Sequence, residues 1–303
     1  MRYIFGPIAS RRFGMSLGID LSPDKKSCNF DCIYCELEKS AERDTIENPP
    51  KVKDVISEVK DAFSRFDFDV ITITANGEPT LYPYLKELVE ELNGIKEDKK
   101  LLILSNSSTI SKKEIREALK GIDIAKLSLD SVIPKTFKKI DRGIKNIDIN
   151  DIVDGIKKFS KEFKNELILE VLVVKGINDK VEEFRELNKA IKEINPTRVD
   201  ISTIDRPPAY DVQPVEYEKL VELSRELESQ HIFIASRKDL SAKKESYTKS
   251  ELLKTLSKRP FSDEDIKNLL DDKSKEIFEK LKRDGEIVEK SVAGVKFYAK
   301  EKK

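Results

Sequence analysis

The sequence predicts an α/β chain: a partial (β/α)6-type TIM barrel followed by a small C-terminal winged helix-turn-helix domain. Three observations carry this expectation. Up to about residue 236, short β-branched apolar runs alternate with longer helical patterns. Two of the runs, Val70-Ile71-Thr72-Ile73-Thr74 and Leu169-Glu170-Val171-Leu172-Val173-Val174, are nearly continuous in apolar residues, as strands covered on both faces are. Beyond a polar stretch the pattern changes to short helices and two strand-like runs. Repeated strand-then-helix units favour a parallel sheet with helical crossovers, with a doubly wound open sheet as the alternative.

Taken in order, strands are expected at 16–21, 69–74, 100–105, 123–130, 166–174, 198–204 and 231–235. Helices are expected between them at 51–66, 82–93, 112–119, 151–163, 180–194 and 215–229. These elements define a domain over 1–236, and 237–247 is a lysine-bearing linker. The domain at 248–303 begins with helices at 248–257, 262–270 and 273–283. Asp284-Gly285 stops the third helix, and strands at 286–291 and 295–299 flank an Ala293-Gly294 turn. Three helices and a hairpin are the outline of a winged helix-turn-helix.

Composition narrows the function. Hydrophobic and charged residues each make up 38% of 303 residues, which describes a soluble globular protein with a heavily charged surface. Lys plus Arg and Asp plus Glu both number 57, so no global electrostatic case for nucleic-acid or membrane binding follows. No run approaches the roughly 18 apolar residues of a membrane span, and the N-terminus lacks a signal-peptide pattern. A cytoplasmic protein with no membrane partner is expected. In a reducing compartment, closely spaced thiols indicate metal or catalysis rather than disulfides.

The chain has three cysteines, all within Cys28-Asn29-Phe30-Asp31-Cys32-Ile33-Tyr34-Cys35. This segment follows the first predicted strand and so lies at the C-terminal face of the sheet, where such folds place active sites. Thiolates at this spacing can wrap one corner of a cubane cluster and leave one iron open. A zinc site is the alternative. It needs a fourth ligand, and the single histidine, His231, lies almost two hundred residues away in a predicted buried strand. Structural, buried cysteines are the third possibility.

Three and then two residues between the cysteines, with Tyr34 just before the third, resemble the signature of the radical S-adenosylmethionine (radical SAM) superfamily. The resemblance implies a partial or complete (β/α) barrel and a [4Fe-4S] cluster on Cys28, Cys32 and Cys35. It also implies S-adenosylmethionine chelated to the open iron. One-electron reduction then gives methionine and a 5′-deoxyadenosyl radical that abstracts hydrogen from a substrate. Further matches fall at strand ends. Asn76-Gly77-Glu78-Pro79-Thr80 is similar to the motif that binds the methionine amino group. Ser105 and Asn106, with Ser128 and Asp130, are similar to ribose or carboxylate contacts, and Val174-Lys175-Gly176-Ile177-Asn178 to the segment along the adenine. The same residue types also form caps and turns.

Residues 5–14, Ser16-Leu17-Gly18-Ile19-Asp20 and Asp205-Arg206-Pro207-Pro208 are similar to an uncharacterised subgroup grouped with wyosine synthases, a likeness over roughly residues 1–240. Wyosine synthases use a second cysteine-ligated cluster, and this chain has no cysteine beyond the three. Another RNA modification, of transfer RNA for example, or radical modification of a peptide then stays open. Arg11, Arg12 and Arg206 are substrate candidates because guanidinium forks suit phosphate or carboxylate; ion pairing is their other role. A flavodoxin or ferredoxin donor is implied, since plant-type ferredoxins near about −400 mV match the low potentials such clusters need. A different class of function is an iron–sulfur redox sensor acting through the winged domain.

Residues 246–303 carry 15 Lys and Arg against 12 Asp and Glu. In the third helix Ile277, Phe278 and Leu281 are expected to face inward. Lys275, Lys280, Lys282 and Arg283 are expected outward beside Glu276 and Glu279. That weakly basic face suits nucleic acid, a peptide or protein, or plain packing.

Overall fold

The computed structural model describes residues 2–10, 12–229, 231–235, 244–292 and 295–301. Arg11, most of the expected linker (237–243) and the expected Ala293-Gly294 turn lie outside the described residues. In chain order the first part comprises β1 (Ile4–Ser10), β2 (Gly14–Asp20), α1 (Val52–Phe63), β3 (Val70–Thr74), a 3₁₀ turn (Pro79–Leu81), α2 (Leu85–Ile95), β4 (Lys100–Ser105) and α3 (Lys113–Leu119). It continues with β5 (Ile124–Ser128), α4 (Pro134–Ile140), α5 (Ile149–Glu162), β6 (Glu166–Val173), α6 (Val181–Ile194), β7 (Arg198–Thr203), α7 (Tyr217–Ser224) and β8 (Ile232–Ile234). The last part is α8 (Lys249–Lys258), β9 (Phe261–Ser262), α9 (Asp263–Leu269), α10 (Asp272–Arg283), β10 (Ile287–Val292) and β11 (Val295–Lys300).

β1 to β8 form one eight-stranded sheet in sequence order. β1 pairs antiparallel with β2, and every pairing from β2 to β8 is parallel. The seven expected strands are all present. β1 was not expected, because Gly6-Pro7 interrupts its apolar pattern. A proline is tolerated here because β1 is an edge strand, where a missing N–H costs no ladder bond. α4 also went unpredicted; it is only 7 residues long. His231 is exposed just before β8, not buried within a strand.

Side chains alternate across the sheet. Ile71 and Ile73, Leu101 and Ile103, Leu169 and Val171 are fully buried in the main core, which also takes in the apolar faces of the helices. In α1 that face is Val52, Val55, Ile56, Val59 and Ala62, at helical spacing. Burying each large side chain contributes about 1.5–3 kcal/mol. The opposite face differs. Val70, Leu102, Ile124 and Ile168 form a separate small cluster with Phe13, and Thr72, Lys126, Glu170 and Ser202 line a cavity.

The sheet curls. Arg12, in the β1–β2 turn, has Nη1 3.3 Å from Glu170 on β6 and 3.2 Å from Asp200 on β7. Its guanidinium also lies 5.1 Å from the Phe233 ring centroid on β8. Only a sheet bent toward closure brings its first turn to its last three strands.

The C-terminal elements build a second, antiparallel sheet in the order β10-β11-β9. The Thr248–Glu251 and Ser262–Asp265 capping boxes start α8 and α9. α8 packs on the exposed edge β1. Gly6 N donates to Thr255 Oγ1 at 3.2 Å, Arg259 Nη1 to the Ala9 carbonyl at 2.8 Å, and buried Tyr247 to the Pro7 carbonyl. Lys258 Nζ lies 2.7 Å from Asp20 Oδ2, at the end of β2. This covers an otherwise open strand edge.

Candidate active site

The cysteine loop leaves the end of β2 and is clamped on three sides. Ser27 N donates to the Asn76 carbonyl at 2.8 Å and Glu78 N to the Ser27 carbonyl at 2.9 Å, a short parallel bridge to the turn after β3. Gly77 makes this approach possible. Its φ is +140°, and a Cβ there would lie 1.8 Å from the Ser27 carbonyl oxygen. On a second side, Asp31 N and Ile33 N donate to the carbonyls of Asp141 and Ile140 at 3.1 and 2.9 Å. Ile144 N returns a bond to Asn29 O at 3.1 Å, and the Phe30 and Phe137 rings meet edge to face. On the third side, Ala209 N donates to the Cys35 carbonyl at 2.8 Å.

Each thiol faces a different neighbour. Cys28 Sγ is 3.5 Å from Asn106 Nδ2, Cys32 Sγ 3.5 Å from Asp141 Oδ1 and Cys35 Sγ 3.6 Å from Lys26 Nζ. Burial pushes the Cys28 thiol up to about 12, with Glu78 adding to the effect. Burial likewise raises Cys32 strongly and Cys35 to a smaller degree, the Lys26 ammonium opposing the latter. Such thiols stay protonated unless a metal displaces the proton. Three soft donors with separate directions, two of them beside N–H groups suited to cluster sulfurs, fit a cluster whose irons each take one thiolate. Among the described residues no three His, Cys, Asp or Glu side chains converge on a single ion.

The strand-end residues largely bind one another. Glu78 is 1% exposed; its Oε1 accepts from Thr80 N, Thr80 Oγ1 and Ser105 Oγ at 3.0, 2.6 and 2.8 Å. Its Oε2 accepts from Asn106 N at 2.7 Å, tying the ends of β3 and β4 together. Burial raises the Glu78 pKa against these bonds. Pro79 opens the short 3₁₀ turn. Tyr34 donates to Asp130 Oδ2 at 2.5 Å, and Leu172 N donates to Asp130 Oδ1 at 2.8 Å. Burial still pushes Asp130 up to about 7. Asn178 is fully buried; its Oδ1 accepts from Val174 N, and its Nδ2 donates to the carbonyls of Asp130 and Leu172. Its side chain holds the β6 loop, a structural task the motif alone did not reveal. Lys175 is exposed, whereas Asn106 and Ser128 are half-buried.

Two residues at the thiols escaped the sequence analysis. Lys26 is 2% exposed and bonds the Glu38 carbonyl at 2.7 Å, while its neighbour Lys25 pairs with Glu47 in solvent. Nothing in the pair Lys25-Lys26 separates them. Asp141 lies beyond the expected strand ends, and burial together with Asp130 raises it well above the carboxylate range.

Below the loop, the curled sheet encloses a cavity of about 370 Å3. Charged side chains, most of them half-buried, line it. Lys126 Nζ is 2.5 Å from Glu170 Oε1, and Arg12 joins the same carboxylate. Arg206, from the loop after β7, pairs with Glu36 at 3.5 Å, and Arg259 reaches the cavity from α8. A second cavity of about 650 Å3 opens between residues 36–38 and the C-terminal elements, and Glu36 borders both. Of the substrate candidates, Arg12 and Arg206 therefore share one cavity, with both guanidinium groups in ion pairs.

Three thiols at the C-terminal end of a curled, mostly parallel sheet, above a cavity edged by charged side chains, define a cluster-dependent barrel enzyme. The Radical SAM superfamily profile matches residues 25–188, and the chain belongs to that superfamily. It is a radical SAM enzyme, and the cofactors of the superfamily are a [4Fe-4S] cluster and S-adenosylmethionine. A UPF0026 protein of Helicobacter pylori strain J99 is 41% identical over 298 residues, covering 97% of this chain and 96% of its own length. GTP 3′,8-cyclase of Listeria monocytogenes serotype 4b is 33% identical over 173 residues, covering 55% of this chain and 49% of its own. Streptococcus suis SuiB bound to its precursor peptide SuiA shares the fold, with a TM-score of 0.58 and 19% identity over 74% of this chain and 49% of that one. Among the described residues no helix is long and apolar enough to cross a membrane.

Proposed function

We propose that the chain carries out radical chemistry on an RNA nucleotide, as in transfer RNA modification. The nucleotide enters between the cysteine loop and the C-terminal elements and reacts in the barrel cavity. The observation that carries this reading is the cavity wall, which is shared by β-strands, Arg206 beside the cysteine loop, and Arg259 of α8. A redox sensor has no need of such a chamber.

Cys28, Cys32 and Cys35 hold the cluster, with the N–H groups of Lys26 and Asn106 beside two of the sulfurs. When bound, the cluster and S-adenosylmethionine supply reductive cleavage of the sulfonium and hydrogen-atom abstraction. Asn106, Ser128 and the backbone of Asn76-Gly77 contact the cofactor. Glu78, Thr80, Ser105, Asp130 and Asn178 position those contacts from behind, and Tyr34 orients Asp130. Four cations border the cavity (Arg12, Lys126, Arg206, Arg259) with Glu36, Glu170 and Asp205, while Asp200 pairs with Arg12 and Lys126, and Asp265 with Arg259. Recognition of a phosphate or carboxylate therefore rests on the guanidinium forks and not on surplus charge. The C-terminal elements act as a winged-helix-like domain that closes this chamber. The exposed Lys280, Lys282 and Arg283 at the end of α10 guide the RNA backbone.

The test is anaerobic reconstitution, reduction with dithionite, and measurement of 5′-deoxyadenosine and methionine, with Cys35→Ala as the inactive control. A reduced cluster that neither binds nor cleaves S-adenosylmethionine would refute the enzymatic part and favour the sensor. Charge reversal at Lys280, Lys282 and Arg283 is expected to weaken binding to bulk transfer RNA. Unchanged binding removes the reason for preferring RNA over a peptide.

A further inference from the structure

A dense run of cations lies beside the cysteine loop of this charge-balanced chain. Residues 135–145 contain Lys135, Lys138, Lys139, Arg142 and Lys145 against one acidic residue, Asp141, which is 5% exposed. All five cations are exposed. Some surface lysines on other helices pair with a carboxylate one turn away, as Lys120 does with Glu117, Lys189 with Glu186 and Lys219 with Glu222. Among the described residues, none of the four lysines in 135–145 has a carboxylate within 4 Å. Arg142 extends the patch sideways. It lies 3.5 Å from Asp31 Oδ2 and 4.4 Å from the Tyr210 ring centroid, and exposed Lys39 sits 4.2 Å from the same ring.

This segment is also the strip of backbone hydrogen-bonded to the cysteine loop. Ile140 and Asp141 accept from Ile33 and Asp31, Ile144 donates to Asn29, and Asp141 Oδ1 lies 3.5 Å from Cys32 Sγ. One layer of chain separates the exposed cations from a cluster ligand. Yet no residue of 135–145 borders the barrel cavity or the cavity that opens toward it. Phe137 and Asp141 reach a small cavity shared with Asn106, Ser128 and Asp130, but none of the five cations borders it or the two larger cavities. An electron, unlike a substrate, needs only nearness to the cluster.

We infer that residues 135–145 with Lys39 form the docking surface for the protein that reduces the cluster, an acidic one-electron carrier of the flavodoxin or ferredoxin kind. The inference rests on the proposed cluster site. In the transfer the carrier loses one electron and the cluster gains one; no bond is made or broken. Unpaired lysines attract an acidic partner over a Debye length, raise its encounter rate and release it readily, as a small transient electron-transfer interface requires.

The experiment uses the full reconstituted chain, a purified flavodoxin as probe, and a Lys135→Glu/Lys138→Glu/Lys139→Glu variant. Three quantities are measured: flavodoxin binding at low and high salt, the stopped-flow rate of cluster bleaching by flavodoxin hydroquinone, and 5′-deoxyadenosine formation driven by dithionite. Flavodoxin binding and bleaching are expected to fall at least tenfold and to lose most of their salt dependence. Dithionite-driven turnover is expected to stay at the wild-type level. The corresponding triple Lys→Gln variant should fall between the two, which separates charge from any folding defect. Wild-type bleaching rates in the Glu variant overturn the inference. So does a variant that loses transfer RNA binding while keeping flavodoxin binding, because the surface then belongs to RNA. Wild-type protein that makes no 5′-deoxyadenosine with dithionite refutes the proposed function instead, and flavodoxin binding still decides the docking surface.

Discussion

Replacing Gly77 by alanine tests whether the turn after β3 positions the cluster ligands. The new Cβ would lie 1.8 Å from the Ser27 carbonyl oxygen and 2.3 Å from its carbon, both backbone atoms with no rotamer to yield. The loop must retreat, and the two bonds at 2.8 and 2.9 Å that join residues 27 and 76–78 are lost with it. Each contributes about 1 kcal/mol net, and a positive φ of +140° in a non-glycine residue adds about 1–3 kcal/mol. The total, about 3–5 kcal/mol, falls on the conformation that presents Cys28 and leaves the core beneath the helices untouched. It corresponds to a loss of about a hundred- to a few-thousand-fold in cluster affinity. Iron content and absorbance near 400 nm after anaerobic reconstitution read this directly, and a urea melt followed by circular dichroism reports the barrel. Gly176→Ala is the control. Gly176 also has a positive φ, of +73°, but among the described residues nothing lies within 4 Å of where a Cβ would stand, so strain acts there without a clash. Gly77→Ala protein that retains wild-type iron, or that loses no more than Gly176→Ala, would refute the reasoning.

Three further outcomes are expected. Asn178→Ala strands the Val174 N–H and the carbonyls of Asp130 and Leu172 in a fully buried site, and should lower stability by about 2–4 kcal/mol in a thermal or urea melt. Among the described residues Lys254 on α8 has no hydrogen-bond partner, and burial lowers its pKa from 10.5 to about 8. The unfolded chain therefore binds the extra proton between those values, so stability should rise with pH from about 8 to 10.5, by at most about 3 kcal/mol. Lys254→Met should be more stable than wild type at pH 7 and lack that rise. Burial pushes Glu170 up, but Lys126 and Arg12 outweigh it and hold the carboxyl below its usual 4.5. Its contribution is full above that pH and is lost as the pH falls through the folded value. Glu170→Gln should cost about 2–4 kcal/mol at neutral pH, measured by urea melts, and flatten the acid limb.

The sequence by itself determined the order of elements and the chemistry of the thiols, because both are written in short-range pattern. Apolar spacing of two or of three to four residues follows from backbone geometry alone, so seven strands and most helices were legible. The three cysteines lie within eight residues, and no folding is needed to see them together. Tertiary structure decided which polar residues are scaffold and which face a cavity. Glu78 and Asn178 match a cofactor motif, yet their atoms are taken up by backbone and side chains from other strands. Lys25 and Lys26 are the same residue type side by side, and only the fold buries one against a sulfur and leaves the other in water. The curl of the sheet places Arg12 beside Glu170 and Asp200, 158 residues distant in the first case. That contact, like the seating of Thr255 and Arg259 on β1, depends on the summed twist of many strands, which no local pattern encodes.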